Sequence, residues 1–198
     1  MSARHRLLIG IERGLVAVGT VLAVWCAFVI LQARYYASLP IPAARTLPGE
    51  SPTSGPRRPD AGVWLARLEA PSVDLSATVL EGSDDETLQK AAGHIEDTAL
   101  PGERGNIGIA GHRDTTFRPV RKLRVGDPLV LMTSDRVYRY RVTRTQIVAP
   151  EDIQVLAATG HPTITLVTCY PFEFIGHAPK RYVVTGELVG EDVRSGGP

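Results

Sequence analysis

The sequence predicts a mainly β domain, barrel or sandwich, behind a single membrane-crossing helix. Three observations carry that reading. From Val63 onward, short β-branched runs follow one another, separated by Gly and Pro signals. In the first half of that region only Asp84 to Ala92 reads as a helix. Upstream, Gly14 to Leu31 runs eighteen residues without a charge.

Eighteen helical residues span roughly 27 Å, close to a hydrocarbon core about 30 Å thick. Arg4, Arg6 and Arg13 precede this segment, and Arg34 is the only nearby charge after it. The positive-inside bias therefore places the N-terminus in the cytoplasm and everything after Leu31 outside. A cleaved signal peptide competes with an anchor. The run exceeds the usual apolar core of such peptides, about 7–15 residues, and no convincing small-residue cleavage site follows it. Bulky Trp25 before Cys26 argues against a lipoprotein site. The chain divides into residues 1–32 (cytoplasmic N-terminus and helix), 33–62 (Pro-rich stalk), 63–190 (β domain) and 191–198 (flexible tail). The stalk holds six prolines, Pro40 to Pro59, a density that favours extended, solvated chain.

Within the β domain, Val63 to Leu68 and Val73 to Leu80 read as strands around a turn at Pro71. Asp84 or Ser83 caps the helix and Gly93 stops it. Asn106 to Ala110 is a short strand, and Pro128 to Met132 with Val137 to Val148 form a hairpin. Thr163 to Cys169 and Arg181 to Leu188 close the domain. The formal charge of +1 gives no basic face for nucleic acid. Arg136, Arg139, Arg141 and Arg144 alternate with Tyr138, Tyr140 and Val142, as on a strand with one solvated face.

Function is legible around Cys169. With Cys26 in the bilayer, Cys169 is an unpaired thiol in an oxidising compartment, either reactive or a buried small hydrophobe. Period-two alternation puts Thr165, Val167 and Cys169 on one face, and Ile164, Leu166 and Thr168 on the other. Tyr170-Pro171 ends the strand, so Cys169 stands where a scaffold meets a loop, and an antiparallel return brings Arg181 to the same rim. A thiol, an imidazole and a guanidinium can form a thioester site with an oxyanion partner. The thiolate attacks while the imidazolium donates, so activity depends on pH in a bell-shaped way. The imidazole is harder to choose. His94, His112, His161 and His177 all follow a glycine. His112 leads because it follows a strand and precedes the polar turn Arg113-Asp114-Thr115. His177 is the second choice, and His94 and His161 read as cap or surface residues. Asp114 reads as a structural residue that orients Arg113 or a loop. Asp84, Asp85 and Glu86 read as helix N-terminal charges rather than a metal site.

The runs TLVTCYPF and IAGHRDT, with an arginine twelve positions after the cysteine in APKRYVV, resemble a sortase. ALPGERGN before His112, with Phe117-Arg118-Pro119 and Leu123 to Asp127 after it, is most similar to class D. The resemblance covers roughly Val63 to Val189. It implies an eight-stranded sortase-type β-barrel with one or two short helices, and a cysteine transpeptidase with Cys169, His112 and Arg181 as its catalytic set. It further implies surface proteins bearing a Leu-Pro-x-Thr-Gly or -Ala sorting signal as donors, cleaved after Thr. The implied acceptor is an amine of a cell-wall peptide precursor or a pilin lysine. No cofactor is implied, and calcium stimulation, known in other classes, is not indicated by any acidic cluster here. Two rivals remain. An L,D-transpeptidase carries a Ser-x-Gly-Cys motif with a histidine just upstream, and here no glycine precedes Cys169. A non-enzymatic anchored β-module would keep the thiol inert.

Overall fold

The structure, a computed structural model, describes residues 3–37, 58–174 and 176–194. It comprises two compact units. The first is one helix, α1 (Ala3–Ala37), whose 21-residue stretch Glu12–Gln32 is long and apolar enough to cross a membrane. Its large side chains, Leu22, Trp25 and Phe28 among them, are exposed, as lipid-facing residues are in the absence of lipid. Thr20 Oγ1 donates to Val16 O at 2.8 Å, which satisfies its hydroxyl inside the apolar helix. The helix runs to Ala37, five residues into the segment expected to be stalk. The rest of the stalk up to residue 57, and the tail from 195, lie outside the described residues.

The second unit is a closed barrel. Its strands are β1 (Trp64–Ala70), β2 (Leu75–Glu81), β3 (Ala92–His94), β4 (Asn106–Ala110), β5 (Pro128–Met132), β6 (Arg136–Val148), β7 (Thr163–Tyr170) and β8 (Lys180–Val193). Around the ring they run β1-β2-β3-β4-β7-β8-β6-β5, with β5 pairing back to β1. Closure removes the exposed strand edges that would otherwise template aggregation. Most neighbours are antiparallel, but β2 with β3 and β4 with β7 are parallel. The first parallel step is made through a short helix, α2 (Asp85–Lys90).

Alternation builds the core. Ala66, Leu68 and Ala70 of β1 point inward, with Leu129 and Leu131 of β5 and Ile164 and Leu166 of β7. On β6, Tyr138, Tyr140 and Val142 are buried while Arg139 and Arg141 face solvent, where Arg139 pairs with Asp192 and Arg136 with Glu191. The arginine-rich run is thus the solvated strand face that its pattern indicates. Burial raises the pKa of the Tyr140 phenol far above the usual tyrosine range, so it packs as a neutral ring.

Three expectations change. Asp84 is indeed the N-cap, its carboxylate accepting from the backbone N–H of Glu86 and Thr87. Gly93, however, does not stop the helix; it lies in β3, a three-residue strand too short to leave a periodic signature. His94, expected as a cap or surface residue, is fully buried in that strand. Its Nδ1 lies 2.8 Å from Glu81 Oε2, and its Nε2 lies 3.0 Å from both Ala99 O and Thr98 Oγ1. A carboxylate from the parallel neighbour makes that burial tolerable, and partnering of this kind is invisible in the local sequence. The last strand also runs to Val193, past the expected boundary at 190.

Candidate active site

Register explains how three distant stretches meet. Strand β4 runs parallel to β7, with Asn106 opposite Thr163 and Ala110 opposite Val167. Gly111 N then donates to Val167 O at 3.2 Å, continuing the pairing one step beyond the strand. Two residues past Ala110 and Val167, the two chains reach His112 and Cys169. On the other side β7 is antiparallel to β8, and Cys169 stands directly opposite Arg181. Residues so placed share a face with Cβ atoms about 4.5–5.5 Å apart. Neighbouring β4, β7 and β8 therefore deliver the imidazole, thiol and guanidinium to one rim.

Alternation decides which side of the wall carries the sulfur. Ile164 and Leu166 are core residues, so Thr165, Val167 and Cys169 lie on the outer face. Thr165 Oγ1 donates there to Asn106 Oδ1 at 2.8 Å, while Asn106 Nδ2 donates to Val155 O and Ala157 O. Asn106 thereby pins the β6–β7 connection onto this face. Cys169 is a half-buried free thiol, not one sealed in the barrel.

The turn carrying His112 is built on a buried ring. Phe117 is fully buried, and its N–H donates to His112 O at 2.8 Å. A Cβ at Gly111 would stand 2.6 Å from that ring, so only glycine lets the chain pass. Thr168, beside Cys169 but facing inward, donates its hydroxyl to Gly111 O at 2.6 Å. One strand thus fixes the thiol and secures the histidine turn.

The resulting cleft has a volume of about 370 Å³ and is lined by His112, Arg113, Asp114, Cys169 and Arg181 together with the loop residues Gly176, His177 and Ala178. Arg181 Nη1 donates to Ala178 O at 3.2 Å and to Lys180 O at 3.1 Å. A larger cleft of about 600 Å³, beside Arg121, Lys122 and Arg124, has neither cysteine nor histidine in its lining and lacks the means for acyl transfer. The structure brings Cys169, His112 and Arg181 together, and adds His177, the second-choice histidine. His161 is exposed, 3.7 Å from Glu187. Arg113 turns to the loop carbonyls of Phe174 and Gly176. Sequence reasoning missed the Phe117 support, the Thr168 tie and the Arg113 contacts. Of these only the inward phase of Thr168 left a signal, because the other two depend on loop paths.

A closed β-barrel with a thiol, an imidazole and a guanidinium at one rim has the layout of a cysteine acyl transferase. The Sortase domain family matches residues 68–189. The chain is 37% identical over 133 residues to Sortase D of Bacillus subtilis, covering 67% of this chain and 67% of that protein. It is 33% identical over 166 residues to Sortase SrtE1 of Streptomyces coelicolor, covering 73% of this chain and 46% of that one. Among solved structures, a Clostridium perfringens Sortase D5 transpeptidase superposes with TM-score 0.61 and 32% identity, covering 66% of this chain and 82% of that one. Sortase E1 from Streptomyces coelicolor, with a tripeptide in its active site, gives TM-score 0.63 and 32% identity over 69% and 95% of the two chains. The chain belongs to the sortase family, whose members are cysteine transpeptidases, and the match to Sortase D supports the class D assignment.

Proposed function

We propose that Cys169, His112 and Arg181 catalyse transpeptidation of a Leu-Pro-x-Thr-Gly or -Ala sorting signal. The observation that supports this reading is the register: Cys169 opposite Arg181, with the His112 turn bonded to the adjoining residues of β7. The Cys169 thiolate attacks the carbonyl carbon of the signal's threonine, and Arg181 donates to the oxyanion. As the C–N bond breaks, protonated His112 gives its proton to the departing amine, leaving a thioester. An incoming amine then attacks that carbonyl. Its proton passes to His112, a new C–N bond forms, and the thiolate leaves. The thioester conserves the energy of the cleaved peptide bond, so the exchange runs without ATP or a cofactor. The acceptor is an amine of a cell-wall peptide precursor or a pilin lysine. Helix α1 anchors the enzyme with its N-terminus in the cytoplasm and the barrel outside, as the Arg4, Arg6 and Arg13 bias directs.

The test is to incubate the full chain in detergent with a panel of sorting-signal peptides and an amine, followed by mass spectrometry. An acyl adduct on Cys169 that disappears in Cys169→Ala, together with amine-linked product, is expected. An unmodified Cys169 across the panel overturns the proposal.

A further inference from the structure

Arg113 lies immediately after His112, and the chemistry above gives it no task. Its Nη2 donates to Phe174 O at 2.6 Å and to Gly176 O at 3.1 Å. Both carbonyls belong to the β7–β8 connection, more than sixty positions away in sequence. Two residues further along that connection, Ala178 O accepts from Arg181. One loop therefore supplies acceptors to both guanidiniums, and both side chains line the cleft with Cys169.

The loop needs such a tie. Strand pairing stops at Tyr170 opposite Lys180, so the described residues between them have no ladder partners. The near half is held by aromatic packing: Phe172 meets Tyr182 edge-on, with ring centroids 5.4 Å apart. The far half contains Gly176 in a left-handed conformation (φ +96°), which gives a bend but no anchorage. Another charged contact, Arg121 with Glu173 at 3.2 Å, involves a glutamate side chain that is 87% exposed and holds little. A guanidinium donating to two carbonyls is a stronger and more directional hold, because its charge strengthens each bond and its fork is rigid. Arg181 depends on that hold. Of the five guanidinium donors, those on Nη1 serve Ala178 O and Lys180 O, and among the described residues the three on Nε and Nη2 take no protein partner. If Ala178 shifts, the direction of those three shifts with it.

We infer that Arg113 is a positioning residue: it ties the far half of the β7–β8 loop to the His112 turn and, through Ala178 O, sets the Arg181 guanidinium beside Cys169. This rests on the transpeptidase reading for its effect on rate, but the tie itself does not. Arg113 touches neither the thiol nor the reacting carbonyl in this role.

The experiment compares full-length wild type, Arg113→Ala, Arg113→Lys, Arg181→Ala and the double alanine variant in detergent. Acylation kinetics are normalised to titrated Cys169, and amide hydrogen exchange is followed across residues 172–180. Arg113→Ala is expected to lower kcat about tenfold, less than loss of a direct oxyanion donor, with a much smaller change in KM. Exchange in the far half of the loop should rise while the barrel strands keep their protection. Arg113→Lys should recover part of kcat, since the ammonium keeps the charge and can donate to the same carbonyls but lacks the rigid planar fork. In the Arg181→Ala background, Arg113→Ala should cost almost nothing further, because both substitutions remove the same positioning. Unchanged loop exchange in Arg113→Ala, or rate losses that multiply in the double variant, would overturn the inference. A wild-type chain that forms no thioester removes the catalytic reading instead, and loop exchange still decides the tie.

Discussion

Two Gly-His steps lie on neighbouring strands of this barrel, and they do opposite work. Gly93-His94 belongs to β3, and Gly111-His112 follows β4, its antiparallel partner. Both glycines are required by close approach: a Cβ at Gly93 would meet Gly82 O at 2.2 Å, and one at Gly111 would meet the Phe117 ring at 2.6 Å. The histidines then diverge. His94 points inward, has no exposed surface, and has partners at both ring nitrogens. His112 lies just past the end of its strand, half-buried, in the cleft that holds a free thiol. A ring with both nitrogens engaged in the interior supports the fold; one at an open rim can exchange protons with a substrate.

That contrast breaks cleanly under substitution. His112→Ala should lower turnover by about two to four orders of magnitude, the span typical of a lost general acid–base, with the unfolding midpoint nearly unchanged. His94→Leu should do the reverse. It strands the Glu81 carboxylate in the interior, which costs about 3–5 kcal/mol, while turnover per folded molecule survives. Denaturant unfolding and thiol-normalised kinetics on both variants read the two axes. Should His177→Ala abolish turnover and His112→Ala spare it, the assignment passes to the second histidine of the cleft.

Gly111→Ala sharpens the same comparison at the active rim. The added methyl meets the Phe117 ring, and overpacking of this kind costs about 1–3 kcal/mol. The ring is fully buried and its backbone N–H bonds His112 O, so part of the strain passes into the turn that carries the imidazole. The expected result is a modest loss of stability with a disproportionate loss of kcat. A fall in stability with intact kcat would show that Phe117 yields without moving the imidazole.

The strands nearest the chemistry were the most legible. Asn106–Ala110 agrees to the residue, and in Thr163 to Cys169 the period-two phase groups the thiol with Thr165 and Val167, apart from the core residues Ile164 and Leu166, because a short β-branched run bounded by turn residues declares a strand even where both faces are covered. What alternation could not supply was pairing. That β4 lies parallel to β7, across a gap of more than fifty positions, is set by closure of the whole barrel. The three rim residues therefore came from local strand ends and the family resemblance, while their meeting came from topology. His94 was misplaced for the same reason. Its environment is made by Glu81, Thr98 and Ala99 from a parallel neighbour and the following loop, and three residues of β3 carry too little period to reveal it.

The smallest expected effect is in acid, at the corner where α2 enters. The Asp84 carboxyl is held below the usual carboxylate range, first by the Thr87 hydroxyl and then by the Thr87 backbone N–H. Glu96 is lowered chiefly by the Ser83 hydroxyl, so one carboxylate holds Thr87 and another holds Ser83 at the start of one short helix. A depressed carboxylate contributes stability that is fully present above its unfolded-state pKa and is lost as pH falls through its folded-state value. Acidification should therefore loosen Ser83 to Lys90 before the barrel strands. Hydrogen exchange compared at pH 6 and pH 3 should show this helix losing protection first, and Asp84→Asn should flatten its pH response without altering the rim. If the helix and the strands lose protection together, the corner has no independent acid sensitivity, and the caps are simply part of the barrel's global stability.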